Sequence, residues 1–104
     1  MAGLTPKRAR DLAVECFFQA QHETMERSNM SMGLDADPEA IRMGAEGAVR
    51  MAFARTGGDF ASPDKRSLQR AVESLLDTAS TFGTPADITQ HHEQQMAVVL
   101  AGLH

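Results

Sequence analysis

Residues 62–83 read SPDKRSLQRAVESLLDTASTFG. Advanced at about 100° per residue, Leu68, Ala71, Val72, Leu75, Leu76, Ala79 and Phe82 fall on one arc, the signature of an amphipathic α-helix. The opposite arc carries Arg70, Glu73, Ser74, Asp77 and Ser80, and Gly83 ends the run. Ser62-Pro63 reads as its start: a side-chain oxygen accepts from an orphan N–H, and Pro follows where no N–H is needed.

The same punctuation recurs along the chain. Thr5-Pro6, Asp37-Pro38 and Thr84-Pro85 complete a set of four cap-plus-proline pairs. Thr84 has Asp87 three residues on, a variant of the capping box. Gly33 and Gly57-Gly58 supply stops for the first and second segments. The reading is therefore all-α: four helices in a single domain over residues 1–104. Short connections predict an up-down-up-down bundle; helical hairpins swapped between subunits are the structural alternative.

Composition agrees with that class. The 104 residues are 42% hydrophobic and 23% charged, which suits a folded domain. There is no Trp or Tyr and there are five Phe, so Ala and Met are expected to fill much of the core. A net charge of −4 argues against a dedicated nucleic-acid binder. A lone Cys16 permits no internal disulfide and suits a reducing, cytoplasmic setting. No apolar run is long enough for a membrane span, and the first residues do not read as a secretory signal.

The other helices show where surfaces should lie. Helix 4 aligns Ile88, His92, Met96, Val99, Leu100 and Leu103. Helix 1 is expected to bury Leu12, Ala13, Cys16, Phe17 and Ala20, yet Val14, Phe18 and Met25 form a second apolar strip. Helix 2 has a main face of Ile41, Ala45, Ala48, Val49, Ala52 and Phe53. Its other side carries Ala40, Gly44, Gly47, Met51 and Ala54, a heptad-like seam of mostly small residues. Each interior Gly costs roughly 1 kcal/mol against Ala. Close approach of another helix would compensate, either within the four-helix core or in a homodimer pairing the second faces of helices 1 and 2.

Charge is distributed unevenly. In the up-down arrangement one end gathers Lys7, Arg8, Arg10, Arg50, Arg55, Lys65, Arg66 and Arg70 against Asp11, Asp59 and Asp64, eight cations to three carboxylates, or +5. The other gathers nine carboxylates against Arg27 and Arg42, or −7. Lys7, Arg8, Lys65 and Arg66 flank positive helix N-termini, where cations are unfavourable, so they are candidates to hold an anion.

Candidate chemistry is sparse. His91-His92 places only His92 mid-arc, and adjacent helical positions point about 100° apart, which disfavours shared ligation of one metal. His92 is expected to be a core histidine bonded to a neighbouring side chain or carbonyl. His22-Glu23-Thr24-Met25-Glu26 lacks the second His of a zinc-protease helix. Met30 and Met32 with His22 could hold Cu(I), or the methionines could pack. Cys16 reads as a structural thiol. The expectation is a non-enzymatic bundle without cofactor, acting through protein–protein contacts as an adaptor, chaperone-like or regulatory subunit. The alternatives are a metal- or small-ligand-binding bundle and an anion- or nucleic-acid-binding module.

Overall fold

The computed structural model describes residues 3–27, 38–81 and 84–103. It contains four helices: α1 Pro6–Arg27, α2 Pro38–Arg55, α3 Lys65–Thr81 and α4 Ala86–Ala101. Asp37, Gly33, Gly83, Met30 and Met32 lie outside the described residues, as do the side chains of Ala79 and Phe82. No helix among the described residues is long and apolar enough to cross a membrane.

Two of the predicted starts shift. Thr5 caps α1 as expected, its Oγ1 accepting from the Arg8 N–H at 3.2 Å. At α3 the cap is Asp64 rather than Ser62. The Ser67 N–H donates to Asp64 Oδ1 at 2.7 Å, and the Asp64 N–H donates to Ser67 Oγ at 3.0 Å. This reciprocal capping box satisfies two orphan donors where Ser62 would satisfy one. Pro63, displaced from the helix, is buried. At α4 Pro85 is itself the N-cap and makes no side-chain cap. The Asp87 carboxylate forms an ion pair with Arg27 and also accepts from backbone N–H groups in the first turn of α4, so it serves a tertiary partner as well as the helix start.

The stop of α2 follows expectation in detail. Gly57 adopts φ 79°, its N–H donates to the Ala54 carbonyl, and the Gly58 N–H donates to the Phe53 carbonyl at 2.8 Å. These are the two bonds of a Schellman cap. Gly58 is needed for space: a Cβ there would lie 2.8 Å from Ser67 Cβ and 2.9 Å from Phe53 Cδ1. Both atoms are held, one by the α3 capping box and one in the core. Gly58→Ala is therefore expected to cost about 1–3 kcal/mol. Gly57→Ala has open space and meets only the penalty of its left-handed backbone, about 1–2 kcal/mol. Thermal unfolding measures both, and an unchanged midpoint for Gly58→Ala would contradict the clash.

The four helices share one core. Phe53, Leu68, Leu75, Met96, Val49 and Val72 are its largest fully buried side chains. Ala9, Ala13, Ala45, Ala52 and Ala71 let the helices approach between them. Helix α1 packs on the other three, while the backbones of α2 and α4 stay apart among the described residues. The Leu4 N–H donates to the Gly102 carbonyl at 2.7 Å. The start of α1 thus lies beside the end of α4, and the Arg27–Asp87 pair joins their opposite ends.

Candidate functional site

Helix α2 directs its small-residue seam away from the core. Ala40, Gly44, Met51 and Ala54 are exposed and Gly47 is half-buried. A Cβ at Gly44 or Gly47 would meet nothing within 4 Å. Among the described residues, no other helix packs against the Cβ position of either glycine. Around them Met43 is 72% and Met51 61% exposed. Beside this strip, between α2 and α3, runs a hollow floored by Phe17 and Leu75, with Gln21, Ala48 and Thr78 in its walls. Arg55 lies along its edge, its Nη2 donating to Ser74 Oγ at 2.9 Å.

The second strip of α1 is placed differently. Val14 and Phe18 are half-buried and pack against the core, and Met25 is half-buried. The Arg42 guanidinium lies 4.5 Å from the Phe18 ring centroid and pairs with Glu15. That hydrogen bond holds the Glu15 carboxyl below its ordinary pKa. Arg42, Glu46 and Arg50 recur every fourth residue, so they form one rim of α2 above Val14. The glycines line the hollow towards α3 on the other flank. The residues expected to form one pairing surface thus belong to two grooves on either side of α2.

The basic end is partly committed to internal contacts. Phe60, in the turn between α2 and α3, lies under both Arg10 and Arg50, at 4.8 Å and 4.2 Å from its ring centroid. Arg10 Nη1 also donates to the Phe60 carbonyl at 2.7 Å. Sequence reading counted these cations as surface charge and missed Phe60 as their partner. Pattern arguments do not reach a single aromatic residue in a turn. Lys7, Arg8, Lys65 and Arg66 are exposed. Arg66 and Arg70 share a shallow depression with Asp64 and Ser67; neither Lys7 nor Arg8 lines it. The Asp64 carboxylate occupies the N-terminus of α3 and is held acidic mainly by the Ser67 hydrogen bonds. It offsets the unfavourable placement of Lys65 and Arg66 from within the chain.

A third feature lies between α1 and α4. A hollow of about 320 Å³ is lined by Cys16, Phe18, His22, Ile88, His91 and His92, among others. His92 is 3% exposed and packs 5.6 Å from the Phe17 ring centroid. It is the core residue that was expected, and its Nε2 has no hydrogen-bond partner among the described residues. Burial, and then the electrostatic influence of the neighbouring His91, push the His92 pKa down to about 4. Burial and the neighbouring Glu15 raise that of Cys16, so its thiol stays protonated. His22 turns aside to Glu26, 3.4 Å away. Among the described residues no group of three or more His, Cys, Asp or Glu could hold a metal ion.

Comparison with protein families, with curated proteins and with solved structures finds no match.

Proposed function

We propose that this chain is a non-enzymatic, self-associating helical bundle, of adaptor or regulatory type, that works through protein–protein contact. In this reading the helices run up, down, up and down, and a second copy docks on the outer face of α2. The observation that carries it is the pair of open glycines, Gly44 and Gly47, set between exposed Met43 and Met51. Interior glycines weaken a helix, and large exposed apolar side chains beside them favour a partner. A two-fold axis near Gly47 would set two α2 helices antiparallel. Met51 of each copy would then enter the space beside the partner's Gly44 and Gly47. The acidic start of α2, at Glu39, would face the basic end of the other, at Arg55, and opposed charges favour that orientation. The contacts at the ends of α1 and α4 support the up-down course.

Light scattering tests this directly. At concentrations on the order of tens of micromolar, the mass should be twice 11.3 kDa. Gly47→Leu should yield a folded monomer, because its side chain enters open space within one copy but fills the room a second helix needs. A monomeric wild type at those concentrations would overturn the reading. So would a Gly47→Leu variant that remains dimeric.

A further inference from the structure

We propose that the hollow between α2 and α3 binds a small amphipathic monocarboxylate, with an unbranched apolar tail over Phe17 and Leu75 and its head group on the Arg55 guanidinium. The site lies on the face where a second copy is proposed to dock. Its effect on assembly rests on that reading; binding itself does not.

The lining is the first observation that selects this chemistry. Phe17 and Leu75 floor the hollow, and Gly44, Gly47 and Ala48 flank it. None of these side chains carries a polar atom, so a hydrocarbon tail laid on them leaves water favourably. The volume is about 610 Å³, within the range of small-molecule sites. An α-helix, about 10 Å across with its side chains, can cover the mouth but cannot enter, whereas a single alkyl chain can.

Charge is the second. No carboxylate lines this hollow, while Glu23, Glu46 and Asp64 stand in the other hollows described above. Arg50 and Arg55 both line it. The Arg50 guanidinium is engaged elsewhere, resting on Phe60 and paired with Glu46. Arg55 forms no ion pair among the described residues. A cation beside an apolar slot favours an anionic head group.

The hydrogen bonds of Arg55 are the third. Its Nε and Nη2 donate to Ser74 Oγ at 3.3 Å and 2.9 Å, and Nη2 also donates to Thr78 Oγ1 at 3.4 Å. These neutral acceptors hold the guanidinium along the edge and leave Nη1 without an acceptor among the described residues. A charge-assisted bond from Nη1 to a carboxylate oxygen therefore needs no rearrangement. A phosphate dianion would call for more donors than this one amino group offers.

In the antiparallel pairing proposed above, Met51 of a second copy would use the room beside Gly44 and Gly47. Ligand and second copy then exclude one another.

The test titrates octanoate, octanol and octylamine into the full chain at neutral pH, below their micellar concentrations. The readout is the amide NMR signals of Gly44 and Gly47 and the Nε–Hε signal of Arg55. Octanoate should shift all three saturably with one affinity. Octanol should bind about tenfold more weakly, and octylamine more weakly still. Arg55→Gln should lower octanoate to the affinity of octanol and leave octanol unchanged. Gly47→Leu, which fills the hollow, should abolish both. Light scattering should show octanoate converting dimer to monomer over the same concentrations. The proposal is overturned if octanoate never saturates these signals, if octylamine binds as well as octanoate, or if Arg55→Gln leaves octanoate unmoved. A dimer that persists with octanoate bound overturns the mutual exclusion. A wild type that is monomeric without ligand ends the dimer reading alone, and the NMR titrations still decide the site.

Discussion

Phe53→Ala is expected to destabilise the protein by about 3–5 kcal/mol, the range for removing a fully buried aromatic ring. Phe53 is 1% exposed and is the largest side chain in the fully buried set. Its ring meets Phe60 edge-on at 5.9 Å, and such pairs add about 0.5–1.5 kcal/mol beyond their buried area. Phe60 in turn seats Arg10 and Arg50. Loss of one ring therefore opens a cavity and also loosens the turn that joins α2 to α3. With no Trp or Tyr and five Phe in the chain, little aromatic bulk is left to fill the gap. Urea unfolding of the variant measures the loss. A cost below about 1.5 kcal/mol would mean that the site collapses and that the Phe60 cluster is unimportant.

Acidification should act on a different residue. Between pH 7 and 4.5 the fold is expected to lose about 2 kcal/mol through His92 alone. The ordinary histidine pKa is 6.5, and in the folded chain it falls to about 4. Above pH 6.5 both states hold a neutral imidazole and the residue has no influence. Between 6.5 and about 4 the unfolded chain takes up a proton that the folded chain refuses, so stability falls with pH. Below about 4 both are protonated and the effect levels off. The carboxylates of Glu15, Asp64 and Asp87 are held more acidic than usual by their partners. Their contribution is present above their unfolded pKa values, 4.5 for Glu15 and 3.8 for the two Asp. It is lost only below that range, so the windows separate. Denaturant curves across pH 7 to 4.5 on wild type and His92→Leu would isolate the histidine. The variant should show a nearly flat profile in that interval. An equally steep variant would assign the loss elsewhere.

These expectations rest on residues that differ in how plainly the chain announces them. Leu68, Ala71, Val72 and Leu75 repeat at helical pitch, and all four are buried. Ile88, His92, Met96 and Val99 behave alike on α4. The close of α2 at Gly57-Gly58 was also legible, since a left-handed cap leaves few choices of residue. Ala9 went unnoticed because alanine carries a weak pattern signal, although it is fully buried. Asp64 lost out to Ser62 because both can cap, and only the position of Ser67 within the first turn decides between them.

The candidate sites were less legible than the fold. Val14 and Phe18 looked like the partners of Gly44 and Gly47, because all are apolar and none was needed on a main face. Pairing them requires the rotation of α2 about its axis, and Arg42 reveals it by lying over Phe18 on the flank away from the glycines. His92 was recognised as a core residue, but its unpartnered Nε2 depends on what α1 brings opposite, which is Phe17 rather than an acceptor.

Periodicity and capping, both local properties of the backbone and its nearest side chains, were enough to dictate four helices and the faces they bury. Tertiary structure alone decided which groups found partners across the bundle: Asp87 with Arg27, Phe60 with two arginines, and His92 Nε2 with none among the described residues. The physical reason is range. Hydrophobic burial is non-directional and requires only that apolar stripes meet, whereas a hydrogen bond is made or missed within a few tenths of an ångström.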